Sequence, residues 1–501
     1  MNAKKLDYYY QQKKNLFHGY ILAIKSSMPV DIYSISNITL IKNPYSSVFP
    51  FSFFSQKTII KNKILLFFKS TMVFYLKQLY FFISYIITFF LFTVYFRPQR
   101  KLSKRDCLID VFLLSNTIIK ENTFNERYFD SLYTVLEKIN IPYSIVPRIY
   151  STSKNPFKLI SFFKLLSKDK RDFLFEFELL HWYDFIQIFW MILIYPFKTL
   201  RLLQEEKTEQ DKIFNQALLQ DISTQGMNTF SRYVFGKNIA KLKTVKYIYS
   251  WSEFQVIERS FNYGISKINS KIKSVGCQFY LNYETYFNAY VDDIDAEHGT
   301  AYKQVLVNGK VYILDRKNVK YEAGVSLRYK NVFTYVPKNE GNDVLILGSY
   351  IVSDTQYMLQ SVGNFEKVFF KKHPAVSIDK FYPLPENVAL VEDDIYTLFK
   401  NIDLVIGTAS GTTVEAVACG KSVIVMASQD NLTANPLMKY GQGKIWEIAF
   451  SKDDVEKHYN KLIKYREENP QKINEIAQWY KDNFFVEPTE ENIIKAFELG
   501  E

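Results

Sequence analysis

Hydrophobic and polar positions fall into two regimes along this chain. From residue 106 onward, short apolar runs alternate with stretches of helical spacing. CLIDVFLL (107–114) and IPYSIVPRIY (141–150) read as buried strands. Between them 125–140 carries Tyr128, Leu132, Val135 and Leu136 on one helical face. VKYIYSW (245–251) and KSVGCQFY (273–280) predict two further strands flanking the helix-like EFQVIERSFNYGISK, and 205–245 is polar with helical spacing. The second half gives five more strands: 343–349, 367–374, 388–391, 403–410 and 421–427. Its tail, 452–500, is a charged amphipathic helical stretch. This strand–helix–strand rhythm predicts parallel, doubly wound sheets with chemistry at the carboxyl ends of the strands. The polar stretch PKNEGN (337–342) marks a boundary. Two Rossmann-like α/β domains are therefore expected, 106–337 with a helical insertion over 155–240, and 338–501.

The first 105 residues follow another rule. LYFFISYIITFFLFTVYF (79–96) is an uncharged run at the lower length limit for a membrane span. Lys57, Lys61, Lys63, Lys69 and Lys77 precede it, and Arg97, Arg100, Lys101, Lys104 and Arg105 follow. A span usually biases its positive charge to one side. With both flanks basic, the expectation is a helical hairpin or in-plane segment within 57–97, with both ends on the cytoplasmic side; a true span and a buried core helix are the alternatives. FIQIFWMILIYP (185–196) is too short to span and reads equally as interfacial helix or core.

Charge sharpens this. The chain of 501 residues carries a net +11, yet 16 of its Lys and Arg lie before residue 106 against only Asp7 and Asp31. The remainder is slightly acidic. A basic and strongly apolar segment points to an anionic membrane surface rather than to nucleic acid. Three scattered cysteines, Cys107, Cys277 and Cys419, exclude a disulfide framework and a CxxC zinc site. The first 20 residues lack the apolar core of a secretory signal. The expected location is the cytoplasmic face of the inner membrane, peripheral or monotopic; the sequence leaves the oligomeric state open.

Three constellations carry candidate chemistry. In the first, the strand ending at Gly407 runs into Thr408, Ala409, Ser410, Gly411, Thr412, Thr413 and then Glu415. Small and hydroxyl residues at a strand-to-helix turn expose backbone N–H groups to an anion such as a diphosphate, and Glu415 could hold ribose hydroxyls. Simple helix capping is the plainer reading of Ser410 and Thr412. In the second, Lys371-Lys372-His373-Pro374 closes a strand and places a His and cations at its end. The third is Asp295-Ala296-Glu297-His298-Gly299-Thr300-Ala301-Tyr302-Lys303, where His298 or Glu297 could act as a general base. Asp292-Asp293 and Asp393-Asp394, the paired acids, read as solvated, and no metal or other cofactor is expected.

These residues carry a resemblance. KKHP, DLVIGTASGTTVEAVACGKSVIV and the final helix make 340–501 similar to the nucleotide-binding domain of GT-B glycosyltransferases, in which the last helix packs back on the first domain. KKHP resembles the His-Pro motif of bacterial sialyl-, polysialyl- and Kdo-type transferases, which implies that His373, with Lys372 beside it, contacts the donor phosphate. HGTAYK (298–303) looks like the HGT turn of CDP-glycerol glycerophosphotransferases, where the His is the implied base. WSEFQVIERSFNYG with SVGCQ is similar to surface-carbohydrate transferases, which would place Glu253 and Gln278, with Lys303, on the acceptor side. There are departures. The chain has SGTTVEA where the glycerophosphotransferases have a Ser-Ser pair followed by Phe-Asp. Gly407 stands where a second Glu, eight before Glu415, would mark a retaining enzyme.

The resemblance implies an inverting, metal-independent glycosyltransferase. Its donor is a nucleotide-sugar as co-substrate, and its acceptor a lipid-linked or polymeric cell-surface glycan of capsule or O-antigen type. A CDP-polyol phosphotransferase of teichoic-acid type, a UDP-sugar 2-epimerase-like enzyme and a non-catalytic glycan-assembly scaffold are the alternatives.

Overall fold

The computed structural model describes residues 2–56, 62–150, 155–336 and 343–499. Two parallel sheets organise it. The first is seven-stranded, in the order β3-β2-β1-β4-β5-β6-β7. Its strands are β1 Cys107–Leu114, β2 Tyr143–Tyr150, β3 Asp172–Phe173, β4 Tyr247–Trp251, β5 Lys273–Gln278, β6 Gln304–Val307 and β7 Lys320–Ala323. The second is six-stranded, in the order β10-β9-β8-β11-β12-β13. It comprises β8 Asp343–Leu347, β9 Val368–Lys371, β10 Val388–Leu390, β11 Ile402–Gly407, β12 Ser422–Met426 and β13 Trp446–Ala449. The doubly wound α/β class expected from the sequence is thus present twice. β3, β6, β7 and β13 have no counterpart among the expected strands, being two to four residues long and too short to show a period. The boundary stretch 337–342 lies outside the described residues, as do Lys57 and Lys61.

In each sheet the chain starts in the middle and winds outward in both directions. This puts a topological switch point between β1 and β4 in the first domain, and between β8 and β11 in the second. Crevices at the carboxyl ends of strands beside such points are where open α/β sheets bind ligands.

Seven helices matter for the site and its setting: α1 Ala3–Ser27, α2 Lys63–Tyr95, α3 Trp182–Thr199, α4 Glu209–Asp221, α5 Asn228–Ala240, α6 Val256–Ile268 and α7 Thr412–Ala418. The polar 205–245 region is α4 and α5. After the helix Pro470–Phe484 the chain crosses back to the first domain. There Ser326 and Val486 exchange hydrogen bonds, and the Tyr249 hydroxyl donates to the Phe497 carbonyl at 2.6 Å.

One expectation for the N-terminal part is corrected. The apolar run is not a hairpin. It belongs to α2, one unbroken helix of 33 residues, because no Gly or Pro interrupts 63–95 and Lys69 and Lys77 sit on its exposed side. The residues before it pack into the body of the first domain. Phe17 of α1 and Phe49 and Phe54 are fully buried with Phe214 of α4 and Phe287. Charge seals this junction. Lys25 and Lys42, both buried, pair with Asp295 at 2.8 Å and Asp292 at 3.2 Å, and Arg259 meets Asp295 at 2.7 Å. The acidic loop read as solvated is therefore half of a buried ion-pair cluster. Burial opposes the Asp295 charge, but Arg259 and Lys25 hold its carboxyl far below the usual carboxylate range. Sequence position gives no hint that basic residues near 25 and 42 face acids near 292.

Under the first sheet, α5 and α6 pack backbone to backbone through Gly236 and Gly264. A Cβ on Gly264 would lie 2.2 Å from the Tyr233 carbonyl oxygen, and one on Gly236 2.4 Å from that of Phe261. Neither obstacle is a side chain that could rotate away. Gly264→Ala is expected to lower unfolding free energy by about 1–3 kcal/mol. A chemical denaturation midpoint unchanged from wild type would show that the two helices are further apart.

Candidate functional site between the two sheets

The second domain presents a row of loops along the carboxyl ends of its strands. After β11, Thr408 is buried, and Ala409 takes a left-handed backbone (φ +50°), with its N–H donating to the Ala434 carbonyl. A non-glycine residue held in that region is strained, and such strain concentrates at ligand sites. The kink leaves the N–H groups of Ser410, Gly411 and Thr412 with no hydrogen-bond acceptor among the described residues. The side chains of Ser410 and Thr412 do not cap α7; the Thr413 hydroxyl instead donates back to the Ser410 carbonyl. A Cβ on Gly407 would meet the Thr413 methyl at 3.0 Å, a contact tight enough that the methyl would have to shift.

One strand over, Gly348 follows β8, and a Cβ there would lie 2.8 Å from the backbone N of His373, which follows β9. His373 Nδ1 accepts the N–H of Ala375 at 3.2 Å. Burial, helped by the Lys372 charge, pushes its imidazole below the ordinary value. A neutral ring with Nδ1 accepting carries its proton on Nε2, which makes His373 a hydrogen-bond donor near neutral pH. Lys372 forms no ion pair among the described residues, whereas Lys371 is spent on the carbonyls of Glu392 and Asp393. With strands about 4.8 Å apart, His373 and Ser410 stand about 10 Å apart along this edge, the span of a nucleotide's phosphates and part of its sugar.

The first domain answers with the loop after β4. Phe254 has a left-handed backbone (φ +52°), so its switch point is strained as well. Glu253, just before it, accepts from Gln255 Nε2 at 2.8 Å and from the Tyr286 hydroxyl at 3.2 Å, and is half-buried. The domains touch close by, where a Cβ on Gly411 would lie 2.9 Å from that of Leu281.

Arg328, which follows β7, bridges the two halves electrostatically. Its guanidinium lies over Tyr128 at 5.2 Å and Trp251 at 5.4 Å, and the residue is exposed to solvent. Crowding by protein opposes its charge, but Tyr329, Tyr128, Glu415 of the second domain and Glu253 of the first together favour it. Glu415 is buried and accepts the Tyr396 hydroxyl. Burial pushes its carboxyl upward, against the opposing pull of Tyr396, Arg328 and Thr412.

The structure therefore brings His373, Lys372, Gly407 to Thr413, Glu415 and Glu253 to facing carboxyl edges. It does not bring the third constellation there. The segment 295–303 descends along α6. Asp295 meets Arg259 in the first turn, the Thr300 carbonyl accepts from Asn262, Gly299 packs on Ser266, and the Lys303 ammonium donates to the Ser270 carbonyl below the helix. Lys303 thus lies at the amino edge of the sheet, and His298 about two helical turns below the cleft. Glu297 is exposed and accepts from Asn318. The reason is topological: HGTAYK enters β6, so it must approach the amino end of that strand. Gln278 is buried at the carboxyl end of β5, where its side chain donates to the Ala289 carbonyl at 3.0 Å and so supports the fold of that loop.

Sequence reasoning missed Arg328, Tyr396 and the aromatic floor of Tyr128 and Trp251. Arg328 stands alone in VSLRY without a motif, and it gains meaning only because β7, itself unforeseen, delivers it to the cleft.

No protein-family model matches the chain, and no curated protein resembles it in sequence. Its coordinates overlap loosely with solved structures. One is the UDP-GlcNAc 2-epimerase from Neisseria meningitidis bound to UDP-GlcNAc, with TM-score 0.42 and 11% identity over 78% of this chain and 99% of that one. Another is the glycosyltransferase SnogD from Streptomyces nogalater, with TM-score 0.41 and 12% identity over 79% and 99%. A third is the wall teichoic acid polymerase TagF, with TM-score 0.35 and 8% identity over 79% and 88%. Likenesses this distant leave the reaction to be argued from the site itself.

Proposed function

We propose that the cleft binds a nucleotide-linked sugar and that the protein is a glycosyltransferase acting on a lipid-linked or polymeric glycan at the cytoplasmic face of the membrane. One observation carries this reading: the strained switch-point loops of two parallel sheets meet where Gly411 approaches Leu281, with the Arg328 cation over Trp251, whose indole N–H donates to Glu253 at 3.4 Å. On the second domain, the N–H groups of Ser410 to Thr412, the Nε2 proton of His373 and the Lys372 ammonium form an anion-binding row suited to the donor's phosphates. Glu415 and Tyr396 are placed to meet sugar hydroxyls. Arg328 and Lys372 offset the charge that grows on the leaving nucleotide. On the first domain, Glu253 is the base. It takes the acceptor hydroxyl proton as that oxygen attacks the anomeric carbon, and the nucleotide departs with the bonding electron pair. The aromatic floor under Arg328 offers a stacking surface for a sugar or base.

The test is equilibrium binding of CMP, CDP, UDP and GDP, followed by hydrolysis of the sugar conjugates of whichever binds. His373→Ala and Lys372→Ala are each expected to weaken the preferred nucleotide about 10–100-fold, the usual loss for a hydrogen bond to a charged group. If no nucleotide binds, or if both variants bind as wild type does, the row is structural and the proposal fails.

A further inference from the structure

The outer face of the first domain carries an apolar surface that the cleft does not use. Helices α2 and α3 lie side by side and antiparallel. Phe67 meets Phe197 at 6.1 Å, the Tyr75 hydroxyl donates to the Leu193 carbonyl at 2.7 Å, Phe82 meets Phe189 at 5.8 Å and Phe89 meets Phe185 at 5.3 Å, one number rising as the other falls. Each helix turns one stripe inward, Leu66, Phe74 and Leu91 on α2 and Ile188, Ile192 and Tyr195 on α3. Each turns an equally apolar stripe outward, represented by Phe68, Leu76 and Phe90 on α2 and by Trp182, Ile186 and Trp190 on α3. Exposure here runs from 47% to 74% in residues that ordinarily avoid water, and continues over two long helices.

Charge says what covers it. Helix α2 contains no acidic residue, and the one acid of α3, Asp184, is buried on the inner side. Exposed Lys69 stands on the surface itself, and exposed Arg97, Arg100, Lys101 and Lys104 follow the end of α2. Helix Pro156–Ser167, beside that end through Phe92 and Phe163, adds exposed Phe157 with Lys158 and Lys164. Of these cations Lys101 pairs with Glu178 at 3.1 Å and the others form no ion pair among the described residues; apolar faces with Trp at their margins and such a basic rim match the interface of an anionic bilayer.

The inner stripe fixes the orientation. The body of the domain covers α2 from Leu66 to Phe92, and the side chains of Lys77 and Gln78 donate to the carbonyls of Ser223 and Gln225 midway. A helix of 33 residues is about 50 Å long, more than the roughly 30 Å of a hydrocarbon core. Upright insertion would therefore drag the attached polar domain into lipid. We infer that α2 and α3 form a two-helix platform that lies in the plane of an anionic membrane, with their outer faces in the interface and neither helix crossing. This goes beyond the proposed reaction and does not depend on it.

The experiment adds the full-length protein to preformed vesicles of phosphatidylcholine, alone or mixed with phosphatidylglycerol, and separates them by flotation. Binding is expected to the mixed vesicles. Combined Leu76→Gln, Ile83→Gln and Trp190→Gln, all at exposed positions, should weaken it at least about tenfold without shifting the melting temperature. Lipids brominated in their chains should quench Trp182 and Trp190, and the quenching should disappear when both are replaced by Phe. Cysteines introduced singly at Asn62 and Arg100, one at each end of α2, should both react with an impermeant thiol reagent, the native cysteines being buried. Failure to float with anionic vesicles, or flotation unaffected by the triple substitution, overturns the platform. A dimer that the triple substitution dissociates, without vesicle binding, assigns the face to a second copy instead. Protection of one introduced cysteine in sealed vesicles means that α2 spans, and overturns the in-plane orientation. None of these readouts needs turnover, so the platform and the transferase reading stand or fall separately.

Discussion

Glu253→Gln is expected to slow single-turnover transfer by about 10²–10⁴-fold, the range of a lost general base, while donor affinity stays at the wild-type value. The argument rests on position. Glu253 follows β4 at the first domain's switch point and precedes Phe254, whose left-handed backbone turns the chain there. Its carboxylate is held by Gln255 and Tyr286 but remains half-exposed to the cleft. Gln keeps the shape and the hydrogen-bonding reach of Glu and removes only the basicity, so a loss confined to the chemical step identifies proton transfer. His298→Ala is the paired measurement and should transfer at close to the wild-type rate. His298 lies down the side of α6, where burial lowers its imidazole below the ordinary value and its neighbours are structural. A large loss in His298→Ala with a mild one in Glu253→Gln would return the base to the HGTAYK turn. That result would require the turn to reach an edge of the sheet from which this topology holds it away.

Arg328→Ala is expected to weaken binding of the preferred nucleoside diphosphate by about 10–100-fold, corresponding to about 1.5–3 kcal/mol for a charge-assisted contact. Arg328→Lys should recover only part of this. The planar guanidinium rests over Tyr128 and Trp251, and an ammonium on a flexible stem reproduces neither the stacking nor a two-pronged grip on phosphate. Removing Arg328 also leaves Glu253 and Glu415 without the cation between them, so an incoming anion meets uncompensated negative charge. Added salt should narrow the difference between wild type and variant, because screening weakens the attraction that the variant lacks. Trp251, lying under the guanidinium, gives a fluorescence signal for the titration. Equal affinity for wild type and Arg328→Ala would place the phosphates elsewhere and leave Arg328 as a structural bridge.

What was legible in the sequence was local. β1 matches the run 107–114, apolar but for Asp110, which Arg148 and Arg232 pair within the fold, because a buried parallel strand reads as a near-continuous apolar sequence, and Ser422–Met426 lies inside the run 421–427 for the same reason. The turn after β11 was readable because Gly, Ser and Thr in succession after such a strand leave backbone N–H groups free, whatever the rest of the fold does. The amphipathic tail and its return to the first domain were readable as well. The extent of α2 was not, because a hydropathy pattern cannot distinguish a stripe facing protein from one facing lipid.

Tertiary structure alone decided the rest, and in each case the missing information is long-range. Lys25 and Lys42 are ordinary basic residues in a basic segment until the fold sets them against Asp292 and Asp295, where desolvation makes unpaired charge costly and so fixes the docking of α1. His298 and Glu253 are both ionisable groups in loops of the first domain, and composition ranks them alike. The direction of their strands separates them: a residue just after a parallel strand reaches the ligand edge, and one leading into a strand approaches the opposite edge. Arg328 belongs to no motif and owes its place to a four-residue edge strand and to a second domain that brings Glu415 near it. The sequence by itself determined the longer strands and the small, hydroxyl-rich turn after β11. Which side chains stand opposite that turn was decided only when the two sheets came together, because facing across a cleft is a relation between residues far apart in the chain.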